Sequence, residues 1–254
     1  MKVTMQNFKI LCILQARMWS TRLPGKILKE IKGKTLIEYE IDRIKKSKYI
    51  DKIVVATSID KSNDALEDLC GKIKIDCFRG EENDVLKRYY DCSQKYNDFE
   101  YIVRVTGDCP LIDTDILDNT IEKFLEANVD YWSNSEPPTF PDGLDTEIFK
   151  KEALEIANTN AKLPSEREHV TPYMKKNFSK INYAADIDYS WYRITVDEPE
   201  DFEIIRNLIE NIWKDAWYLK YIDYINEHWL EKINNKFKRN EGFEKSLEQD
   251  KKIF

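Results

Sequence analysis

The stretch KILCILQARMWSTRLPGK, residues 9–26, decides the fold of this chain. Residues 10–14 are all apolar, as expected for a strand that is buried on both faces of a parallel sheet. The polar segment 16–26 follows directly, and its Pro24-Gly25 pair predicts a tight turn. A buried strand that runs into a polar loop is typical of the carboxyl edge of an α/β sheet, where ligands bind.

Similar patterns continue through the first half of the chain. Apolar runs of strand length alternate with segments in which apolar residues recur at helical spacing. This alternation predicts βαβ units and a parallel sheet in which the carboxyl ends of the first and fourth strands lie on the same edge. The predicted strands are 9–15, 52–57, 73–78 and 101–105, and the predicted helices are 36–44, 63–69 and 84–96.

The pattern changes after residue 130. Pro137, Pro138 and Pro141 surround a short segment that predicts a loop or a lid. Apolar spacing at 216–237 predicts a C-terminal helix that docks on the domain, and the polar last 15 or so residues predict a loosely held tail. Further strands are predicted at 147–149, 181–185 and 191–196, and further helices at 151–158, 166–176 and 199–212.

These elements predict one domain over residues 1–235 and a polar tail over 236–254. Within the domain we expect a nucleotide-binding half at about 1–130, an acceptor and dimer half at about 131–212, and the C-terminal helix at about 213–235.

Composition narrows the class of protein. The 254 residues carry a net charge of −7 with basic and acidic residues interspersed, which argues against a nucleic-acid binder. No run approaches the length of a membrane span, and residues 1–7 do not resemble a secretory signal. Five cysteines without a C-x-x-C pair favour reduced, buried thiols and a cytoplasmic location.

The first loop concentrates positive charge. Arg17, Arg22 and Lys26 lie within ten residues, immediately after the buried strand. A triphosphate requires such cations together with exposed backbone N–H groups in a tight turn. The segment is not a Walker A motif. The alternative interpretation is a solvated surface loop.

Two acids follow predicted strands. Asp108 comes directly after the strand at 101–105 and the residues TG, and Asp197 comes directly after the strand at 191–196. Carboxylates at the ends of two strands can share Mg²⁺ with the phosphates of a substrate. Taken singly, each aspartate is better explained as a helix cap or a turn residue, and the metal site is predicted from the pair beside the basic loop.

Several short motifs together resemble a known family. LQAR (14–17), RLPGK (22–26), GD (107–108) and TVDEPED (195–201) resemble the cytidylyltransferases that activate acidic sugars, such as the ketodeoxyoctonate and sialic acid enzymes. The closer likeness is to the spore coat polysaccharide biosynthesis protein F group. It also includes FRG (78–80), DVLKRY (84–89), GLDTE (143–147) and REHVTPY (167–173). The acidic-sugar enzymes mostly have I-P-A-R where this chain has LQAR, which places it nearer the spore coat group.

The resemblance implies a Rossmann-like α/β/α sandwich of the nucleotide-diphospho-sugar transferase type. It also implies transfer of CMP from CTP to a sugar-like acceptor with release of pyrophosphate, in polysaccharide or glycan biosynthesis, by a homodimer. It assigns catalysis to Arg17, Lys26, Asp108 and Asp197, with Mg²⁺ on the two aspartates.

The resemblance further implies two sets of contacts. The nucleotide set is Leu14, Ala16, Arg17, Arg22, Lys26, Gly80, Asp84, Arg88 and Thr106, and the acceptor set is Glu147, Arg167, Glu168 and His169.

Some of these residues have an equally good structural explanation. Asp84 can be a helix cap, Arg88 can be a surface helix residue, and Arg167 can belong to a capped surface helix. Arg104, which is in neither set, can contact a phosphate or form a salt bridge in the sheet.

Other functions remain open at this level. A phosphorylated acceptor would give a CDP-linked product. A glycosyltransferase would need an acidic metal motif, for which DTD (113–115) is a candidate, although helix capping explains it better. A non-catalytic nucleotide-binding protein is the third possibility.

Overall fold

The computed structural model describes residues 8–212 and 216–252. Its first half alternates strands and helices as the apolar patterns predict, and it adds a short hairpin that the patterns do not predict. The elements are β1 (Ile10–Gln15), β2 (Glu30–Ile31), β3 (Lys34–Thr35), α1 (Leu36–Ile44), β4 (Lys52–Ser58), α2 (Asp64–Ile73), β5 (Asp76–Gly80), α3 (Val85–Lys95), β6 (Tyr101–Thr106) and α4 (Thr114–Ala127).

The second half is richer in helices. Its strands are short and lie at one side of the sheet. The elements are β7 (Tyr131–Ser133), β8 (Glu147–Lys150), α5 (Lys151–Asn160), α6 (Pro164–His169), α7 (Pro172–Asn177), β9 (Lys180–Asn182), α8 (Pro199–Asn211), α9 (Tyr218–His228), α10 (Glu231–Asn234) and α11 (Glu241–Asp250).

Within the described residues, seven strands form one sheet in the order β5-β4-β1-β6-β8-β7-β9. The pairs β1–β4, β1–β6, β4–β5 and β7–β9 are parallel, whereas β8 runs antiparallel to both β6 and β7. The mostly parallel α/β sheet is therefore confirmed, and the first and fourth predicted strands are direct neighbours.

Strand β1 is buried on both faces, which explains its continuous apolar run. Ile10, Cys12 and Leu14 contact the core formed with α1, α2 and α4. Leu11 and Ile13 contact the core on the opposite face, formed with α3, α5 and α7. Helices therefore cover both faces of the sheet, in the layered arrangement of a Rossmann-like fold.

The C-terminal region docks on the domain as predicted, but with different boundaries. Helix α9 buries Tyr221, Ile222 and Ile225 in a third core with α8. The predicted helix 213–235 starts at residues that lie outside the described part, 213–215, and it is interrupted at Trp229, whose φ is 56°. Residues 218–234 therefore form two helices.

The expectation of a loosely held tail is wrong for residues 236–252. Helix α11 packs against α6, and it buries Ser246 and Asp250, which are 2% and 8% exposed. The carboxylate of Asp250 accepts a hydrogen bond from the backbone N–H of Ser165 at 3.0 Å. A polar segment is held here by polar contacts, which hydrophobic periodicity cannot reveal.

Two further predictions need correction. The predicted helix 166–176 is two helices, because Val170 has a φ of 70° and Pro172 starts α7. The predicted strand 191–196 forms only an isolated bridge between Arg193 and Asp142, since its neighbour is a loop and not a strand. No helix in the described ranges combines the length and apolar character required to span a membrane.

Candidate active site

The carboxyl ends of β1 and β6 meet at one edge of the sheet, where Gln15 pairs with Thr106. Gly107 then lies directly against the loop after β1. A Cβ atom at Gly107 would stand 2.9 Å from the Cβ of Ala16 and 3.2 Å from the carbonyl oxygen of Gln15. A larger residue would push the two segments apart, so glycine here brings Asp108 close to the basic loop.

The basic loop is folded by its own turn. Gly25 has a φ of 66°, in the left-handed region that glycine adopts without strain. Its backbone N–H donates to the carbonyl of Met18 at 3.0 Å, and the N–H of Met18 donates to the side chain of Asn63 at 2.9 Å. The predicted turn is confirmed, and it is followed by Lys26 at the start of a short 3-10 helix.

Lys26 joins the two aspartates. Its ammonium donates to Asp108 Oδ2 at 3.1 Å, to Asp197 Oδ1 at 2.8 Å and to the carbonyl oxygen of Val196 at 2.7 Å. The side chain of Lys26 is only 11% exposed. Residues separated by more than 80 positions in the sequence thus converge on one atom, with the basic turn and the aspartates facing each other.

Asp197 is held by its own set of contacts. Arg193 Nη2 lies 3.0 Å from one carboxylate oxygen, and Arg22 Nη2 lies 3.0 Å from the other. The backbone N–H of Asp197 donates to Asp201 at 2.9 Å, just before α8 begins. The N–H of Val196 donates to the carbonyl of Asp108 at 2.8 Å, which ties the two acidic segments together.

The opposite charges in this cluster stabilise each other's ionised forms. Burial alone would raise the pKa of Asp108, but the charge of Lys26, with hydrogen bonds from Thr106 and Lys26, lowers it to about 2. Burial opposes the charge on Lys26, yet Asp108 and Asp197 raise its pKa above the ordinary value. Near neutral pH the ammonium and Asp108 are therefore charged.

Arg17 differs from the other basic side chains of the loop. Its residue is exposed, and its guanidinium has no ion pair or hydrogen bond with the described part of the chain. Its guanidinium carbon lies 6.0 Å from the centroid of the Trp19 ring. Five N–H donors are thus available to an anion, which suits phosphate binding.

A larger cavity of about 740 Å³ and a smaller one of about 210 Å³ lie at this edge of the sheet. The smaller cavity is lined by the basic loop, including Lys26, whereas the larger one extends over the second half of the chain. The residues that line both cavities are Arg17, Arg22, Thr106, Asp108 and Asp197. The paired aspartates therefore stand where the two cavities adjoin.

Not all the residues predicted to contact the nucleotide line these cavities. Ala16 lines the smaller one, but Leu14 is fully buried in the core. Gly80 and Arg88 line neither cavity. They lie against each other, since a Cβ at Gly80 would stand 3.0 Å from Arg88 Cγ. Arg88 is buried and donates to the carbonyl of Glu81 at 2.7 Å, so it is not the surface helix residue considered above.

Arg167 and Asp84 form an ion pair with each other, and neither residue lines a cavity. Asp84 caps α3 by accepting from the N–H of Lys87 at 2.9 Å. Arg167 Nε lies 3.0 and 3.1 Å from the two carboxylate oxygens of Asp84, and its Nη1 donates to the carbonyl of Asn158 at 2.8 Å. Asp84 is therefore a helix cap. The prediction of Arg167 as an acceptor clamp needs correction, because the guanidinium of Arg167 already donates to Asp84 and Asn158.

Glu147, Glu168 and His169 line the larger cavity, as the acceptor prediction requires. Glu147 is buried, and it accepts hydrogen bonds from Tyr131 at 2.5 Å and from Thr171 at 2.8 Å. It also forms ion pairs with two cavity-lining cations, Arg104 and Lys175.

The salt bridge to Arg104 fixes the charge of Glu147. Burial would raise the pKa of Glu147, but the charges of Arg104 and Lys175 lower it to about 2. Burial also lowers the pKa of His169, which favours its neutral form. Glu147 is thus an anchor for cations in the cavity wall, because a carboxylate held so firmly in its charged form is a poor proton acceptor.

Sequence reasoning missed several residues of this site. Arg193 positions Asp197, and Lys175 lines the larger cavity beside Glu147. Glu40 lies fully buried on α1, where burial and then the charge of Asp108 raise its pKa well above the ordinary value. The signal for Glu40 was available, since a glutamate on the apolar face of an amphipathic helix is unusual.

The predicted DTD motif is structural. Asp113 caps α4 by accepting from the N–H groups of Asp115 and Ile116 at 2.9 and 3.2 Å, and it accepts from the N–H of Tyr218 at 2.9 Å. The helix-cap interpretation is confirmed, and the metal motif of a glycosyltransferase is not formed here.

The donor set at the aspartate pair fits Mg²⁺. Among the described residues no group of three or more His, Cys, Asp or Glu side chains could hold a metal ion. Mg²⁺ in nucleotide enzymes, however, is usually bound by one or two carboxylates together with substrate phosphates and water. Asp108 and Asp197 already share one cation, the ammonium of Lys26, so they would be the protein ligands.

Comparison with known proteins gives the family. A sequence model described as cytidylyltransferase matches residues 11–249. The chain belongs to the cytidylyltransferase family. A solved cytidylyltransferase from Leptospira borgpetersenii is 36% identical with a TM-score of 0.85, and the alignment covers 91% of this chain and all of that one.

Two further relatives of the cytidylyltransferase family are similar over most of their length. The spore coat polysaccharide biosynthesis protein SpsF of Bacillus subtilis is 32% identical over 211 residues, which is 79% of this chain and 86% of that protein. The 3-deoxy-manno-octulosonate cytidylyltransferase of Fusobacterium nucleatum is 31% identical over 225 residues, 81% of this chain and 86% of that protein. The predicted family is therefore confirmed, and the chain is a CTP-dependent nucleotidyltransferase.

Proposed function

We propose that this enzyme transfers CMP from CTP to a hydroxyl group of a sugar acid and releases pyrophosphate. The observation that carries the proposal is the position of Asp108, Asp197 and the basic loop where the two cavities adjoin. One cavity can then receive the triphosphate and the other the acceptor, with the reacting phosphorus between them. The name of SpsF supports a role in polysaccharide biosynthesis, and the name of the 3-deoxy-manno-octulosonate cytidylyltransferase supports a sugar acid as the acceptor.

The basic loop would bind the triphosphate. Arg17 offers a guanidinium without a partner among the described residues, and Arg22, which is paired with Asp197 and Glu198, lines both cavities. Lys26 is rigidly placed between the aspartates and becomes available to phosphate when another cation takes its place there. Charge-assisted hydrogen bonds of this kind hold a leaving pyrophosphate as its negative charge develops.

Asp108 and Asp197 would hold Mg²⁺, with Arg193 keeping the second carboxylate in position. When bound, the metal ion neutralises phosphate charge and polarises the phosphorus–oxygen bonds. The chemical step is a displacement. The acceptor oxygen forms a bond to the α-phosphorus, the bond from that phosphorus to the bridging oxygen of the β-phosphate breaks, pyrophosphate leaves with that oxygen, and the hydroxyl proton passes to water.

The larger cavity suits an anionic, hydroxylated acceptor. Arg104 and Lys175 line it and are both anchored by Glu147, and Lys176 lines it without an ion pair among the described residues. Fixed cations favour a carboxylate-bearing substrate, and the acids of the cavity wall can accept hydrogen bonds from sugar hydroxyls.

Pyrophosphate release tests the proposal. The purified enzyme with Mg²⁺ is incubated with each of the four nucleoside triphosphates, and then with CTP and a panel of acceptors. The panel contains 3-deoxy-manno-octulosonate, nine-carbon sugar acids and sugar phosphates. We expect release with CTP and a sugar acid and a CMP-linked product in ³¹P NMR. Release with UTP or GTP in place of CTP would contradict the proposal.

The same panel identifies the alternative function, transfer to a phosphorylated acceptor, since a sugar phosphate would give the two coupled phosphorus signals of a CDP-linked product.

The resemblance also predicts a homodimer. Light scattering of the purified protein tests this, with the mass of two chains as the expected result.

A further inference from the structure

Residues 238–243, here called the C-terminal wall, line one side of the larger cavity. The wall joins α10 to α11 and includes the first residues of α11. Its members that line the cavity are Lys238, Asn240, Glu241, Gly242 and Phe243. None of the residues that line the smaller cavity comes from the wall in the described structure.

The wall is fixed to the domain on one side by Arg239. Its Nη1 donates to the carbonyl oxygen of Phe140 at 3.0 Å, and its Nη2 forms an ion pair with Asp145. The side chain of Arg239 is 13% exposed, so these contacts are largely shielded from water. Asp145 also lines the larger cavity, which places the attachment at the rim of the site.

The other side of the wall is fixed through α11 to α6. Ser246 Oγ donates to Glu168 Oε2 at 2.6 Å and lies 3.0 Å from His169 Nε2. The ring of Phe243 meets that of His169 edge to face, with centroids 5.1 Å apart. Two residues of the predicted acceptor set are therefore held by the C-terminal helix.

These contacts connect the end of the chain to the acceptor side of the site and not to the nucleotide side. We propose that the C-terminal wall is part of the acceptor site, with Lys238 binding an anionic group of the acceptor and Phe243 lying against its carbon skeleton. This inference rests on the proposed function, because it assigns part of the same site.

The exposure and surroundings of Lys238 and Phe243 favour these two side chains as the contacts to the acceptor. Lys238 is exposed, lines the cavity and has no ion pair or side-chain hydrogen bond among the described residues, so its charge is available. Phe243 is half-buried, and its contact with His169 leaves part of the ring in the cavity lining. An aromatic ring beside a cation is a suitable surface for an anionic sugar, which has apolar C–H faces.

Steady-state kinetics with single variants test the inference. Lys238→Ala and Phe243→Ala are compared with Lys245→Ala, a control on the outer, exposed part of α11 that lines neither cavity. The probe is 3-deoxy-manno-octulosonate with saturating CTP and Mg²⁺, replaced by another member of the acceptor panel if that member is the one that supports turnover. We expect the KM for the acceptor to rise about tenfold in the two test variants and not in the control.

Three results separate the possibilities. A KM for CTP that stays within about twofold, together with recovery of the acceptor KM in Lys238→Arg, supports contact between Lys238 and the acceptor. An unchanged acceptor KM in both test variants overturns the inference and leaves the proposed function standing. A panel in which the wild-type enzyme releases no pyrophosphate from CTP refutes the proposed function itself.

Discussion

Replacing Lys26 with methionine should change the binding of CTP and of a divalent ion in opposite directions. The ammonium of Lys26 contacts three oxygens, at 3.1, 2.8 and 2.7 Å, and two of them belong to the aspartates that we propose as metal ligands. In the ligand-free enzyme the lysine and a metal ion therefore compete for the same carboxylates. In the complex with CTP the lysine is expected to contact phosphate.

The magnitudes follow from the charge and the burial of this group. Loss of charge-assisted hydrogen bonds to the triphosphate costs about 1.5–3 kcal/mol, which corresponds to a CTP affinity about 10- to 150-fold weaker. Loss of the positive charge between two carboxylates favours any other cation there, and Mn²⁺ should bind about tenfold more tightly without nucleotide. The folded state should also lose about 3–5 kcal/mol, since a largely buried ion cluster is left uncompensated.

Two titrations measure this. Isothermal titration calorimetry gives the affinity for CTP, and the electron paramagnetic resonance signal of free Mn²⁺ gives the metal affinity without nucleotide. Lys29→Met, which lies just after the 3-10 helix that Lys26 begins and lines neither cavity, is the matched control, and circular dichroism confirms that each variant is folded. A Lys26→Met variant that is folded and binds Mn²⁺ no more tightly than the wild type would refute the competition.

The other perturbations address single features. Arg17→Ala should raise the KM for CTP about tenfold, because an unpaired guanidinium is lost, and an unchanged KM would remove Arg17 from the phosphate site. Gly107→Ala should lower the free energy of unfolding by about 1–3 kcal/mol, since its Cβ would stand 2.9 Å from Ala16, whereas Gly71→Ala, with nothing within 4 Å, should not be destabilised. Glu147 has a pKa of about 2 against an ordinary value of 4.5, so the unfolded chain binds more protons between these values and stability is lost as pH falls through that window. Urea unfolding should show a smaller loss in Glu147→Gln, and an identical pH profile would contradict the ion-pair assignment.

The parts of the fold that sequence predicts best are those where one physical signal dominates. The run of apolar residues in β1 can be satisfied only by burial on two faces, and the sheet order around it follows from short parallel crossovers. The segment 191–196 also contains β-branched and aromatic residues, but it pairs with a loop and not with a strand. Pairing partners are a property of the tertiary structure, which local pattern does not contain.

The candidate site was predicted where chemistry and chain position agreed. Asp108 and Lys26 lie at strand ends or in the adjoining turn, so topology alone brings them together. Arg167 failed as an acceptor residue because its partner, Asp84, is 83 positions away and satisfies its donors. The role of the tail was hidden for a similar reason, since Ser246 is held by hydrogen bonds and leaves no hydrophobic pattern.

The central claim is that Asp108 and Asp197 act as one unit at the reacting phosphorus. Its most direct test is the rate of pyrophosphate release from CTP in Asp108→Asn, Asp197→Asn and the double variant, each with saturating Mg²⁺ and acceptor. We expect each single variant to lose about 100-fold or more in kcat, and the double variant to be no slower than the slower single one. Independent losses that multiply in the double variant, or near wild-type rates in either single one, would contradict the account.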